Sequence, residues 1–280
     1  MPSKKHHPEN ALVQRSAKRK SRWLITAAIL LCLALAACRQ RAERKEVIVG
    51  MELSYPPFEM TDASGHPAGV SVDLANALGN YLQREVKIEN IPFSGLIPAL
   101  KTGKIDLIIS SMTATPERAQ SIDFSEPYLK TGLCLLVRRD SPIQSIADID
   151  KPGITIAVKQ ATTGSDYARQ HIKKANVLTL DKETACVLEV IQGKADAFIY
   201  DQMSTYKNWQ KNSDSARAIL TPFQAESWAI GVRKRNDKLR EEVNRFLAEY
   251  RVKGGFEELG DRYLKEQKEA FKARGIPFYF

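Results

Sequence analysis

Histidine and cysteine are scarce in this chain, four of each among 280 residues. His6 and His7 adjoin near the start while His66 and His171 stand alone, so no spacing suits a metal ion or an imidazole-driven reaction, and neither metal nor cofactor is expected. Cys32, Cys38, Cys134 and Cys186 form no Cys-x-x-Cys pair, which argues against a zinc ribbon or a disulfide-stapled miniature domain. A bilayer-spanning helix needs roughly 20 apolar residues, and the run from Trp23 to Ala37 stops at fifteen. No Pro/Gly/Ser-rich linker divides the remainder, so two independent domains on a loose tether are not expected.

The short apolar run follows a basic leader carrying Lys4, Lys5, Arg15, Lys18, Arg19, Lys20 and Arg22, the make-up of a signal peptide. Its end, Leu35-Ala36-Ala37-Cys38, resembles the lipobox of bacterial lipoproteins. That resemblance implies cleavage of residues 1–37, lipid on the Cys38 sulfur and a tether over 38–45. Buried acyl CH₂ groups contribute about 0.8 kcal/mol each, so the chain is expected at a membrane surface of the cell envelope, on its periplasmic or extracellular face. The formal net charge of +9 is mostly leader. Residues 1–38 hold seven of the 42 Lys and Arg and one of the 33 Asp and Glu, leaving 35 − 32 = +3 for the other 242 residues. Nucleic acid is therefore not an expected partner.

Short apolar runs alternate with helical periodicity after the tether, as in an α/β fold. Strands are predicted at Val47–Met51, Val86–Ile91, Ile105–Ser110, Gly132–Val137, Ile154–Val158, Val177–Leu180, Ala195–Tyr200 and Trp228–Val232. Helices are predicted at Val70–Leu82, Ser94–Thr102, Ser165–Lys173, Glu183–Gln192, Gln202–Lys211 and Asp237–Lys253. One stretch echoes another: Leu100-Lys-Thr-Gly-Lys-Ile-Asp-Leu-Ile-Ile-Ser recurs in form as Val190-Ile-Gln-Gly-Lys-Ala-Asp-Ala-Phe-Ile-Tyr-Asp. Each reads as a helix stopped by a left-handed glycine, a Lys-x-Asp turn and a buried strand, so two similar lobes are implied. With no linker between them, strands are expected to cross, over Tyr128–Val137 and back over Phe223–Val232. The expected boundaries are 46–136 with 223–280 for lobe 1 and 137–222 for lobe 2.

Ligands collect beyond the carboxyl ends of strands in such sheets, where Ser110, Ser111, Thr113 and Asp201 stand. Arg118 follows closely, and its planar fork of donors matches a carboxylate. Asp201 could accept from an α-ammonium group or cap the helix that follows, and the two roles are compatible. For Arg118 the plain alternative is a surface ion pair with Glu117 or Asp123.

Val47-Ile-Val-Gly-Met-Glu-Leu-Ser-Tyr-Pro-Pro-Phe-Glu, Gly69-Val-Ser-Val-Asp-Leu, Leu96-Ile-Pro-Ala-Leu, the run Gly103–Arg118 and Asp123-Phe-Ser-Glu-Pro-Tyr together resemble the bacterial polar amino-acid solute-binding proteins. These are the capture subunits of ABC importers, and the likeness runs over about residues 46–265. It implies a type II periplasmic binding fold, two Rossmann-like lobes joined by a two-strand hinge, acting as a monomer that delivers a free amino acid to membrane permease subunits. It also implies that Arg118 and Thr163, assisted by Ser111 and Thr113, meet the ligand carboxylate, that Asp201 and the Ser111 region meet its ammonium, and that Ser110 belongs to the ligand-binding set. Tyr55 and Phe93 match the positions that sandwich the side chain, Glu52 an acidic position near its tip, and Lys159 a position that only some members use. A cation between aromatic faces with an acid beyond favours arginine or another basic amino acid. Glutamine or another polar amino acid is the alternative, and an exported cyclohexadienyl or arogenate dehydratase on the same scaffold is a third. Glu52 departs from the usual aspartate and Ala161 from a frequent glycine.

Overall fold

A computed structural model describes residues 46–277, so the leader, Cys38 and the tether lie outside the described residues. Two five-stranded sheets form the framework. The first, in spatial order, contains β5 (Glu85–Asn90), β1 (Glu46–Met51), β6 (Leu107–Ile108), β13 (Gly231–Val232) and β7 (Asp123–Phe124). The second contains β10 (Asn176–Leu180), β9 (Thr155–Lys159), β11 (Ala197–Asp201), β8 (Leu129–Arg138) and β12 (Ala216–Trp228). A small third sheet contains β2 (Ser54–Tyr55), β3 (Glu59–Thr61) and β4 (Pro67–Ala68). In both large sheets the first three strands run parallel and the last two join antiparallel, so the lobes share one plan.

The helices are α1 (Val70–Leu82), α2 (Phe93–Thr102), α3 (Pro116–Ala119), α4 (Thr163–His171), α5 (Glu183–Ile191), α6 (Gln202–Lys211), α7 (Asp237–Val252), α8 (Gly255–Tyr263) and α9 (Lys265–Ala273). Helix α1 buries Val70, Leu74 and Leu78 as its periodicity requires. Tyr81, on the edge of that face, keeps its hydroxyl outside and donates it to Glu249 at 3.2 Å.

The sequence echo has a physical basis. Gly103 and Gly193 stand at φ 78° and 71°, ending α2 and α5 in the left-handed conformation that glycine adopts without a steric cost. The aspartate three residues later then fastens the incoming strand to its neighbour. The Ile48 amide donates to Asp106 at 3.1 Å, and the Thr155 amide donates to Asp196 at 2.8 Å. Beyond each aspartate the strand is buried, and its carboxyl end faces the other lobe.

Strands β8 and β12 lie side by side antiparallel, with an irregularity between Ile219 and Gln224 that shifts their register. The predicted strand Trp228–Val232 is interrupted, because the chain leaves the second sheet at Trp228 and enters the first only at Gly231. Trp228 fills the junction, meeting Tyr55 and Phe58 edge-on with ring centroids 6.0 and 5.0 Å away.

Candidate functional site

The ends of these strands converge on a cleft between the sheets, and all ten candidate ligand-binding residues line it. Glu52, Tyr55, Phe93, Ser110, Ser111, Thr113 and Arg118 come from elements of the first lobe, and Lys159, Thr163 and Asp201 from the second. Glu59, Glu226, Trp228, Leu133, Thr162 and Tyr200 line it too, although sequence reasoning did not assign them there.

Arg118 is placed by the short helix α3. Pro116 starts it, and the Thr115 hydroxyl caps it by accepting from the Arg118 amide at 3.2 Å. The guanidinium is buried and donates to the carbonyls of Thr113 at 2.8 Å and Ala161 at 2.9 Å, the second across the cleft. Burial lowers its pKa, and its carbon stands 5.4 Å from the centroid of the Phe93 ring. A surface ion pair is thus not its environment. Ala161 adopts φ 61°, which explains the frequency of glycine at its position; a side chain there costs roughly 1–2 kcal/mol.

Asp201 ends β11 and caps α6, accepting from the Ser204 amide at 3.0 Å. The same Oδ1 accepts the Tyr55 hydroxyl from the other lobe at 2.6 Å. Burial pushes its carboxyl up to about 7. Tyr55 packs against Phe58, Tyr200 and Trp228, whereas Phe93 faces two cations, Arg118 and Lys159. The Lys159 ammonium, buried at the end of β9, pairs with Glu52 across the cleft.

Glu59 is the hub of a hydroxyl network. It accepts from Ser71 at 2.6 Å and Ser111 at 3.1 Å, with Ser110 at 3.4 Å, and the Ser110 oxygen in turn receives the Glu52 amide at 3.0 Å. Burial raises Glu59 to about 8, so near neutrality it is a carboxylic acid able to donate as well as accept. Ser111 holds φ 49°, an uncommon backbone for a residue with a side chain. Glu226 on β12 accepts from Thr113 at 3.0 Å and from Gln224 at 3.2 Å, and burial raises its pKa as well. The space left among these groups is about 40 Å³. Chemically the cleft offers a planar cation with hydroxyls, a carboxylate with a phenol beside it, and an acid–ammonium pair, both cations lying over the Phe93 ring.

The family model of the bacterial extracellular solute-binding proteins, family 3, matches residues 47–266. The L-arginine-binding protein of Pseudomonas aeruginosa is 29% identical over 243 residues, 84% of this chain and 93% of that protein. The ABC transporter glutamine-binding protein GlnH of Bacillus subtilis is 26% identical over 228 residues, 80% of this chain and 83% of that protein. Among solved structures, the ancestral amino acid-binding protein AncCDT-1, described as a precursor of cyclohexadienyl dehydratase, superposes with a TM-score of 0.72 at 32% identity, covering 78% of this chain and 95% of that one.

Proposed function

The chain belongs to the bacterial extracellular solute-binding proteins, family 3, and we propose that it captures a free L-α-amino acid outside the cytoplasm and presents it to an ABC importer. The observation that carries this reading is the convergence of Arg118, Thr163 and Asp201 from two lobes on one buried cleft. A guanidinium with hydroxyls reads the α-carboxylate and Asp201 reads the α-ammonium. An amino acid touching both lobes stabilises the closed arrangement over any open one, which is all that hinge closure needs. The hinge is assigned to β8 and β12, with lobe 1 taken as 46–136 and 223–280 and lobe 2 as 137–222. Lipid on Cys38 would keep the monomer beside its permease.

Glu52 and the faces of Phe93 and Tyr55 suit a basic side chain such as arginine, provided that Lys159 yields its place on Glu52. The Lys159–Glu52 pair itself, a donor beside an acceptor, suits the amide of glutamine. A thermal-shift panel of the twenty amino acids tests the function and separates these ligands, since a ligand at 100 times its Kd adds about 2.7 kcal/mol of stability. No stabilisation by any of them would refute the proposal. An exported dehydratase is a second reading, supported by the protonated Glu59 at the cleft wall and by the likeness to AncCDT-1. We place the protein among the binding proteins rather than the enzymes, and incubation with prephenate or arogenate is expected to give no aromatic product.

A further inference from the structure

We infer that Glu226 is a built-in competitor for the ligand's α-carboxylate, holding the hydroxyls beside Arg118 until an amino acid displaces it. The inference rests on the amino-acid reading above. Glu226 is 6% exposed and projects from β12 into the cleft. The Thr113 hydroxyl donates to its Oε2 at 3.0 Å, and Thr163 and Arg118 line the same cleft and favour its charged form. Those groups are assigned to the carboxylate of an amino acid, and here a carboxylate of the chain itself lies among them and holds the Thr113 hydroxyl.

Two carboxyl groups sharing this end of the cleft repel each other unless one of them takes up a proton. Space decides in the same direction. The roughly 40 Å³ within the cleft has room for only a few waters, so an amino acid enters only when the lobes part or side chains withdraw. Glu226 is placed to do so. Both donors of Arg118 that form hydrogen bonds go to backbone carbonyls, so no guanidinium hydrogen bond ties Glu226 down. Glu226 also borders a groove of about 1140 Å³, lined by Thr131, Gln224 and Arg274, that gives its carboxylate a second place to go.

Removing the charge while keeping the shape should therefore strengthen binding, the reverse of what loss of a structural support does. Calorimetry would compare wild type with Glu226→Gln and Glu226→Ala, using arginine, glutamine and their α-carboxamides, which lack the anionic end. Expected is about tenfold tighter binding of the free amino acid by Glu226→Gln, a change equivalent to about 1.4 kcal/mol, with little change for the carboxamide. Glu226→Ala, checked for folding by its melting curve, should move in the same direction. Equal or weaker binding by both variants would overturn the inference and leave Glu226 as an organiser of Thr113. Tighter binding of acid and carboxamide alike would also overturn it. If wild type binds none of the twenty amino acids, the functional reading falls first and this one with it.

Discussion

Replacing Arg118 by alanine removes a guanidinium that is 8% exposed and fastened on both sides of the cleft. Truncating one partner of a buried, hydrogen-bonded charge pair costs about 2–5 kcal/mol. At 1.4 kcal/mol per decade that is a loss of roughly 30- to 4,000-fold in affinity. The upper half of this range is expected, because the Phe93 ring 5.4 Å away loses one of its two cations and the carbonyls of Thr113 and Ala161 lose their donor. Arg118→Lys restores the charge without the planar fork and should fall between alanine and wild type. Isothermal calorimetry with the best ligand of the amino-acid panel measures all three proteins, and melting curves without ligand separate weaker binding from weaker folding. Arg118→Ala that folds and binds as tightly as wild type would refute the assignment of the carboxylate to this end of the cleft.

Lys159→Met frees Glu52 of its ammonium, so arginine should bind about tenfold tighter while glutamine does not gain; parallel changes for the two ligands in calorimetry would show that Lys159 does not face the side-chain tip. Glu59 keeps its proton in the fold up to about 8, whereas the unfolded chain releases it near the ordinary value of 4.5. The folded state thus holds more protons between those values, and this group's contribution to stability is lost as pH rises from about 4.5 to about 8. Glu59→Gln should therefore gain on wild type in melting temperature between about pH 5 and about pH 8, and a gap that stays constant would mean that the buried carboxyl is already ionised. Cys134 and Cys186 are free and buried, burial having raised the first and pushed the second up to about 12. Peptide mapping after treatment of the native protein with a thiol reagent should leave both unmodified, and labelling of either before unfolding would contradict that burial.

The residues legible from sequence share one property: a local signal fixes where each stands. Ser110, Ser111 and Thr113 follow a buried strand that a glycine and a Lys-x-Asp turn announce, and Arg118 sits where Thr115-Pro116 must start a helix. Glu59 was visible as the last residue of the Tyr-Pro-Pro-Phe-Glu motif, but β2, β3 and β4 are two or three residues each and too short to show periodicity. Its burial depends on Ser71 and Ser111, 12 and 52 residues away. Glu226 carried no local signal, since the inward face of β12 is set by its register with β8 and by the irregularity after Ile219. Helices α8 and α9 lie past the last helix read from the sequence, although Phe256, Leu259 and Tyr263 recur at helical spacing and two of them are buried.

The position of β13 sets an order of assembly. It lies between β6 and β7, antiparallel to both, so β7 has no partner in its sheet until residues 231–232 arrive. All five strands of the other large sheet precede that point in the chain. As the polypeptide emerges from its N-terminus, the module formed last in space is the one begun first in time. A chain cut short just after Trp228 would carry one finished sheet and one that still waits for the strand that joins β7 to the rest.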